Sequence, residues 1–377
     1  MTVWDSLVGQ RTVIHTLQEA VSGHGMTHAW LFTGPPGSGR SNAALAFAAA
    51  LQCETGGCGD CEACRTALAG SHPDVTVKRT DKMIISVDDA RQLVRDSGLM
   101  PVRGRWQIII VEDADRLHER ANNALLKSIE EPGHKTVWML CAPHPEDVLP
   151  TIRSRARHVS LATPTAEEVA GFLTQRHGVP EPLAAHAARA SQGHIGRAKA
   201  LALEEGTRNR RREVVQLPPR LVDLGSCLKA AANLVDIAQQ ETAALTEQLN
   251  AKEMRDLETL YGDDRKSRAS RSARAALTEL EKNQKAREKR QVLDVIDRSL
   301  MDLLSFYRDV LALQTGAGGF LVNEEQRRDV EDLARRTTPE SNLCRIDAVY
   351  EAREQMLEFN TPPLLALESM MVALRAA

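Results

Sequence analysis

The sequence predicts an α/β domain built on a largely parallel sheet, followed by a chain that is helical to its end. Three observations carry this. Short apolar runs separated by helical patterns fill residues 1–162, a glycine-rich loop sits between one such run and an alanine-rich helix, and strand-like runs cease after Pro164. At 377 residues the chain exceeds the roughly 100–200 residues of one domain, so two or three domains are expected.

The apolar runs are Ala29–Thr33, Met83–Val87, Trp106–Val111 and Thr136–Cys141. Continuous rather than alternating apolarity predicts strands buried on both faces, the signature of a covered parallel sheet. Helices are predicted at Asn42–Leu51, Asp88–Asp96 and Arg120–Glu131. In the last, Ala121, Leu125, Leu126 and Ile129 recur at helical spacing and Pro132-Gly133 ends the pattern. Thr165 and Glu168 form a capping box that starts the first helix beyond the sheet. A second runs over Pro182–Ser191 and stops near Gly193. The basic stretch Arg208–Arg212 reads as a solvated helix face, and Pro218-Pro219 as a boundary. Beyond residue 220 every pattern is helical. Arg265–Arg290 carries ten Lys/Arg against three Asp/Glu, a local +7, and reads first as a long solvated helix or hairpin.

Composition excludes several function classes. Apolar residues at 42% and charged residues at 26% describe a folded globular chain rather than a disordered one. No apolar run reaches the length of a membrane span and the N-terminus lacks a secretory pattern, so a cytoplasmic protein without membrane contact is expected. A net charge of −3 and only 3% aromatic residues argue against whole-chain nucleic-acid binding and against base stacking as a main mode.

Three motifs point to chemistry. Gly34-Pro-Pro-Gly37-Ser38-Gly39-Arg40-Ser41 has the spacing of a P-loop, whose backbone amides and helix N-terminus cradle phosphates. Arg40 stands where the pattern has lysine, and a wide planar guanidinium does not replace a slim ammonium between phosphates. Ser41 keeps the hydroxyl that would meet Mg²⁺. The run Ile108–Val111 ends in Glu112-Asp113, where such folds place a Mg²⁺-binding acid and a water-orienting one. The usual order is Asp-Glu, and exchanging them displaces each carboxylate by about 1.5 Å. Both nucleotide motifs are off pattern, so efficient hydrolysis is not expected, while Gly37, Gly39 and Ser41 leave binding of ATP with Mg²⁺ without turnover open. Cys53, Cys58, Cys61 and Cys64 fall within twelve residues and have the donor chemistry of a tetrahedral structural Zn²⁺ site. Iron–sulfur spacing opens similarly but places its last cysteine much further on, and unmetallated thiols remain the other alternative. His72 is expected to be a surface or packing residue.

Together Leu7-Val-Gly-Gln10, the loop 34–41, the cysteine cluster, Asn122–Pro132 (NNALLKSIEEP), Ser154-Arg155-Ala156 and Gly193-His-Ile-Gly-Arg197 resemble the clamp-loader branch of the AAA+ ATPases, and within it the δ′ type of bacterial DNA polymerase III. The resemblance covers residues 1–200. It implies a RecA-like AAA+ domain over 1–164 with a zinc module at 53–64, a small helical lid over 165–217, and a helical collar over 218–377 that joins five subunits in a ring. It implies γ/τ- and δ-type partner subunits, the sliding clamp and primed DNA. Arg155 corresponds to the family's arginine finger, which acts in trans on a neighbour's ATP, with Ala156 in place of the usual cysteine. Arg197 corresponds to a second sensor. At the first sensor Cys141-Ala-Pro-His offers no hydroxyl or amide, which further lowers the expectation of hydrolysis. Two other functions remain: an ATP-hydrolysing motor subunit of the same loader, or a stand-alone zinc-dependent nucleic-acid-binding protein using residues 265–290.

Overall fold

The computed structural model describes residues 2–80, 84–261, 271–317, 319 and 321–376. It divides into two compact units, 1–203 and 204–377.

Unit 1 is built on five parallel strands: β1 (Ala29–Thr33), β2 (Val75–Lys78), β3 (Gln107–Val111), β4 (Thr136–Ala142) and β5 (Arg157–Ser160), in the spatial order β2-β3-β4-β1-β5. Every residue of the three central strands is buried. Alternate side chains therefore feed two cores. Trp30, Phe32, Ile108, Ile110 and Met139 meet α1 (Arg11–Val21) and α2 (Arg40–Gln52), where Phe47 lies edge-on to Trp30 at 4.8 Å between ring centres. After α3 (Glu62–Leu68) comes α4 (Val87–Ser97), which with α5 (Glu119–Glu130) and Leu31, Ile109, Val111, Trp138 and Leu140 forms the opposite core.

The strand expected at Met83–Val87 is not formed. Ile85 makes one isolated parallel bridge with Leu117, and α4 starts at Val87; Met83 lies outside the described residues. The physical reason is Ser86, whose hydroxyl accepts from the Asp89 amide while the Asp89 carboxylate accepts in return, a capping box at the end of a β-branched run. The two strands absent from the sequence reading, β2 and β5, are the sheet's edges. Each is only partly buried, so neither needs a continuous apolar run.

After the short α6 (Pro150–Arg153), three helices complete the unit: α7 (Ala166–His177), α8 (Glu181–Ser191) and α9 (Ile195–Leu203), packed around Val169, Leu173, Ala187, Ala198 and Leu201. The Thr165–Glu168 capping box forms as expected, and α8 ends with Gln192 and Gly193 both at positive φ, 50° and 85°. Gln10 is buried and clasps the chain entering these helices, donating to the Ala162 carbonyl at 2.7 Å and accepting from its amide at 3.2 Å.

Unit 2 contains α10 (Glu205–Val215), the long pair α11 (Leu224–Tyr261) and α12 (Arg271–Gln314), then α13 (Arg327–Arg336), α14 (Pro339–Leu357) and α15 (Pro363–Ala376). Val214, Leu234, Leu300, Phe306, Tyr307, Val349 and Leu367 lie in its core. The Arg208–Arg212 stretch is not the solvated face it was expected to be. Arg211 is buried, with Nε 3.0 Å from Asp302 and Nη2 donating to Asn323 at 2.5 Å, and Arg210 pairs with Glu241 at 2.8 Å. Asn323 in turn donates to Ser305 and Asp309. A buried guanidinium is tolerable only with such a satisfied network.

Candidate functional site

The register of the parallel sheet brings the nucleotide-type motifs to one edge. Phe32 of β1 pairs with Cys141 of β4, and Leu140 of β4 with Val111 of β3, so the loop after β1, the acids after β3 and the end of β4 converge at the carboxyl ends of the strands. The loop itself depends on glycine. Gly34, Gly37 and Gly39 have φ of 147°, 83° and 96°, and a Cβ on Gly34 would stand 2.6 Å from the Leu161 carbonyl oxygen. Gly39 caps α2, so the N-terminus of that helix, where unpaired amides favour an anion, directly follows the loop. Ser38 is buried and its hydroxyl has no hydrogen-bond partner, so the loop keeps an unspent polar group.

Two features distinguish this loop from an open phosphate cradle. Arg40 turns back and donates from Nη1 to the Gly34 carbonyl at 3.0 Å, so the cation at the lysine position is engaged with the loop's own backbone. The start of α9 also presses on the loop: the Ile195 amide donates to the Gly37 carbonyl at 3.2 Å, and a Cβ on Gly37 would lie 2.1 Å from His194 Cγ. His194 Nδ1 accepts from the Arg197 amide at 3.2 Å, which places Arg197 on the first turn of that helix, beside the loop.

After β3, Glu112 lies 2.9 Å from Arg79 Nε, a partner contributed by the end of edge strand β2. The Cys141 thiol is fully enclosed. Burial pushes its pKa far up, Arg40 pulls it down, and Glu112 and Asp113 push it up, so all three charges act at the end of β4. Ser41 is the second residue of α2 and is half-buried. Arg155 follows α6 and is held on its exposed side. It donates to the Thr151 carbonyl at 2.7 Å and the Ser154 hydroxyl at 3.2 Å, and its Nη2 lies 3.0 Å from Glu130 at the end of α5.

The four cysteines come together. Their sulfurs all lie within 4.8 Å of one another, with Cys53 Sγ 3.7 Å from Cys58 Sγ and 3.8 Å from Cys61 Sγ. Amides of Cys58, Cys61 and Cys64 point at the sulfurs of Cys53, Cys58 and Cys61 at 3.5, 3.4 and 3.4 Å, an arrangement that stabilises thiolates. Burial alone would raise the Cys53 pKa. Hydrogen bonds from the Thr55 hydroxyl and the amides of Cys58, Gly57 and Thr55 outweigh it and bring the thiol down to about 5. Burial pushes the Cys64 thiol up. This donor set could hold a metal ion. His72 is not part of it: it is buried, and its Nδ1 accepts from the Asp74 amide at 3.1 Å.

Sequence reasoning missed His194 on Gly37, Arg79 on Glu112 and Glu130 on Arg155. Only the first left a local signal, the histidine inside the Gly193–Arg197 motif. The other two pair residues brought together by strand order and by the α5–α6 contact.

A P-loop after the first strand of this five-stranded parallel sheet, followed by a small helical cap, defines a RecA-like AAA+ protein. Family models described as DNA polymerase III, delta subunit, and DNA polymerase III, delta subunit, C terminal, match residues 9–165 and 270–375, and the chain belongs to this clamp-loader family. Among curated relatives it is 38% identical over 145 residues to the DNA polymerase III subunit delta′ of Pseudomonas aeruginosa, covering 37% of this chain and 44% of that protein. It is 36% identical over 157 residues to subunit gamma/tau of Mycobacterium tuberculosis (40% and 27%), and 31% over 198 residues to subunit tau of Escherichia coli (50% and 31%). The chain thus spans less than half the length of these relatives. Among solved structures the Thermotoga maritima RuvB branch-migration motor aligns at 18% identity over 56% of this chain and 64% of that one, with a TM-score of 0.40.

Proposed function

We propose that this chain is a δ′-type subunit of a replicative clamp loader that presents Arg155 to the ATP site of a neighbouring subunit and does not itself hydrolyse ATP efficiently. In this reading it joins γ/τ- and δ-type subunits in a five-membered cytoplasmic ring that places the sliding clamp on primed DNA. The observation that carries the reading is Arg40, folded onto the Gly34 carbonyl where a motor would hold a lysine toward phosphate. The Arg79–Glu112 ion pair, the enclosed thiol of Cys141 and the His194 contact with Gly37 support it. Gly34, Gly37, Ser38, Gly39, Arg40, Ser41, Glu112, Asp113 and Arg197 then form a degenerate nucleotide site whose retained role is to shape the domain.

Arg155 suits a finger because its side chain is 41% exposed and its guanidinium is pre-set by three oxygen partners. Release from Glu130, itself a half-exposed pair, costs about 1 kcal/mol or less, so handing the cation to a neighbour's phosphoryl oxygens is inexpensive. The same family supplies the competing reading. Gamma/tau relatives match at an identity close to that of the delta′ relative, as a motor subunit would.

The cysteine cluster is assigned a structural Zn²⁺. Ligands at about 2.3 Å in a tetrahedron stand about 3.8 Å apart, close to the 3.7 and 3.8 Å found between sulfurs here. The metal would cross-link the end of α2 to α3. The AAA+ domain is kept at 1–164, while the lid expected over 165–217 ends at 203 and α10 joins the collar, because Val214 and Arg211 lie in the core of unit 2.

Clamp- and primed-DNA-stimulated ATPase of the reconstituted loader tests the assignment, with Arg155→Ala or Arg40→Ala in this chain alone. Losing a trans finger costs on the order of 10³-fold at the affected site, partly masked by intact sites elsewhere. Turnover lowered by Arg155→Ala and unchanged by Arg40→Ala is the expected result. The converse would make the chain a motor.

A further inference from the structure

The basic segment 265–290 was left unused by the nucleotide-type site, and its described part is more selective than its sequence. Residues 262–270 lie outside the described residues. On α12, Arg287 and Arg290 are taken up locally. Arg287 is buried and forks onto Glu253 of α11 at 2.8 and 2.7 Å, also donating to Asn250, while Arg290 lies 3.6 Å from Asp294. Arg274, Lys282, Lys285 and Lys289 are all exposed. At 100° per residue these four fall within about 80° of arc, on the side of α12 turned away from Arg287, and span about 22 Å of helix. Thr278 lies among them with its hydroxyl bonded back to the Arg274 carbonyl at 2.9 Å. Lys289 donates to the neutral Asn360 side chain at 2.7 Å, so its charge is retained.

Acidic groups flank the stripe rather than interrupt it. Glu281 is exposed about 20° outside Arg274 and one turn before Lys285, Glu279 is exposed about 60° outside Lys282, and Glu288 accepts from Asn250 at 2.9 Å. On α11, exposed Lys252 and Arg255 stand with exposed Glu247 and Asp256, a balanced surface. The stripe on α12 is thus a line of four exposed cations, bordered by acids and about as long as six or seven base pairs.

We propose that this outward face of α12 binds the phosphate backbone of duplex DNA without reading sequence. Duplex is favoured over single strands because residues 262–290 contain no Phe, Trp or Tyr, so no platform for base stacking exists in the segment. It is favoured over an acidic peptide because the face carries Thr278 between its cations and no large apolar anchor. The proposal goes beyond the clamp-loader reading and stands whether the chain is a finger donor or a motor.

The test is anisotropy of a labelled 20-base-pair duplex with the full chain, between 50 and 200 mM salt. Four phosphate contacts give a slope of log K against log salt of about −3.6. The double variant Lys282→Gln/Lys285→Gln is expected to halve that slope and weaken binding on the order of 10-fold or more at 0.1 M salt, with an unchanged unfolding midpoint. The control pair Lys252→Gln/Arg255→Gln on α11 is expected to change the slope by less than half as much. Equal losses from both pairs, no loss from the first, tighter binding of a 20-nucleotide single strand, or displacement of the duplex by polyglutamate at lower concentration would each overturn the proposal.

Discussion

At the scale of single residues, the glycine loop shows how one position can be fixed by two different constraints. Gly37 and Gly39 both lie in the left-handed region, which costs a non-glycine residue roughly 1–2 kcal/mol. Around Gly39 there is room, since an added Cβ would meet Ile195 Cδ1 at 3.8 Å, an ordinary contact. At Gly37 the same atom would meet His194 at 2.1 Å. Gly39→Ala is therefore expected to lower stability in urea by about 1–2 kcal/mol, and Gly37→Ala by a further 1–3 kcal/mol of overpacking. Adding His194→Gly, which removes the His194 Cβ at 2.6 Å as well as the ring, should recover most of the excess in a double-mutant cycle. Equal costs at the two glycines would show that α9 does not bear on the loop.

Among elements, the segment from Cys53 to α3 is the one whose stability is tied to solution chemistry. The folded Cys53 thiol titrates near 5 while an unfolded one titrates near 8.5, so between these values the unfolded chain binds the extra proton. That contribution to stability is fully present above the unfolded value and is lost as pH falls through about 5. Metal competes with the same protons. Elemental analysis after desalting should find one zinc per chain at pH 7 and progressive loss as pH drops through about 5. Cys64→Ser should remove it at neutral pH. A chain without stoichiometric metal at pH 7 would refute the site. The same contrast between local and distributed signals explains what could be read from the sequence. The three central strands, the P-loop spacing, the cysteine spacing and the Thr165 cap are local patterns, and the structure contains each of them. Edge strands β2 and β5 were missed because half-buried strands carry charge, and Ile84-Ile85 passed for a strand because Ser86 was not seen as a cap. Arg79 with Glu112, Arg155 with Glu130 and Arg211 with Asp302 pair residues that only the tertiary fold brings together.

For the whole molecule, the informative residue is Arg211, because it decides where one folding unit ends. Proline punctuation placed a boundary near 217, whereas compactness divides the chain between 203 and 204. Helix α10 lies between these limits and contributes Val214 to the core of unit 2, besides the guanidinium that bonds Asp302 and Asn323. Removing that cation would leave Asp302, itself buried, and the Asn323 side-chain carbonyl each with one strong donor fewer. Breaking one side of a buried ion pair costs about 3–5 kcal/mol. A fragment of residues 204–377 is therefore expected to unfold cooperatively, and one of 218–377 to be less stable by at least that amount or to fail to fold. Arg211→Met within 204–377 separates the charge from the rest of α10. It should cost less than deleting the helix, because Val214 remains in place, and should still leave the fragment measurably weaker in urea. If 218–377 matched 204–377 in stability, α10 would belong with the helices before it, and the boundary would lie at the prolines.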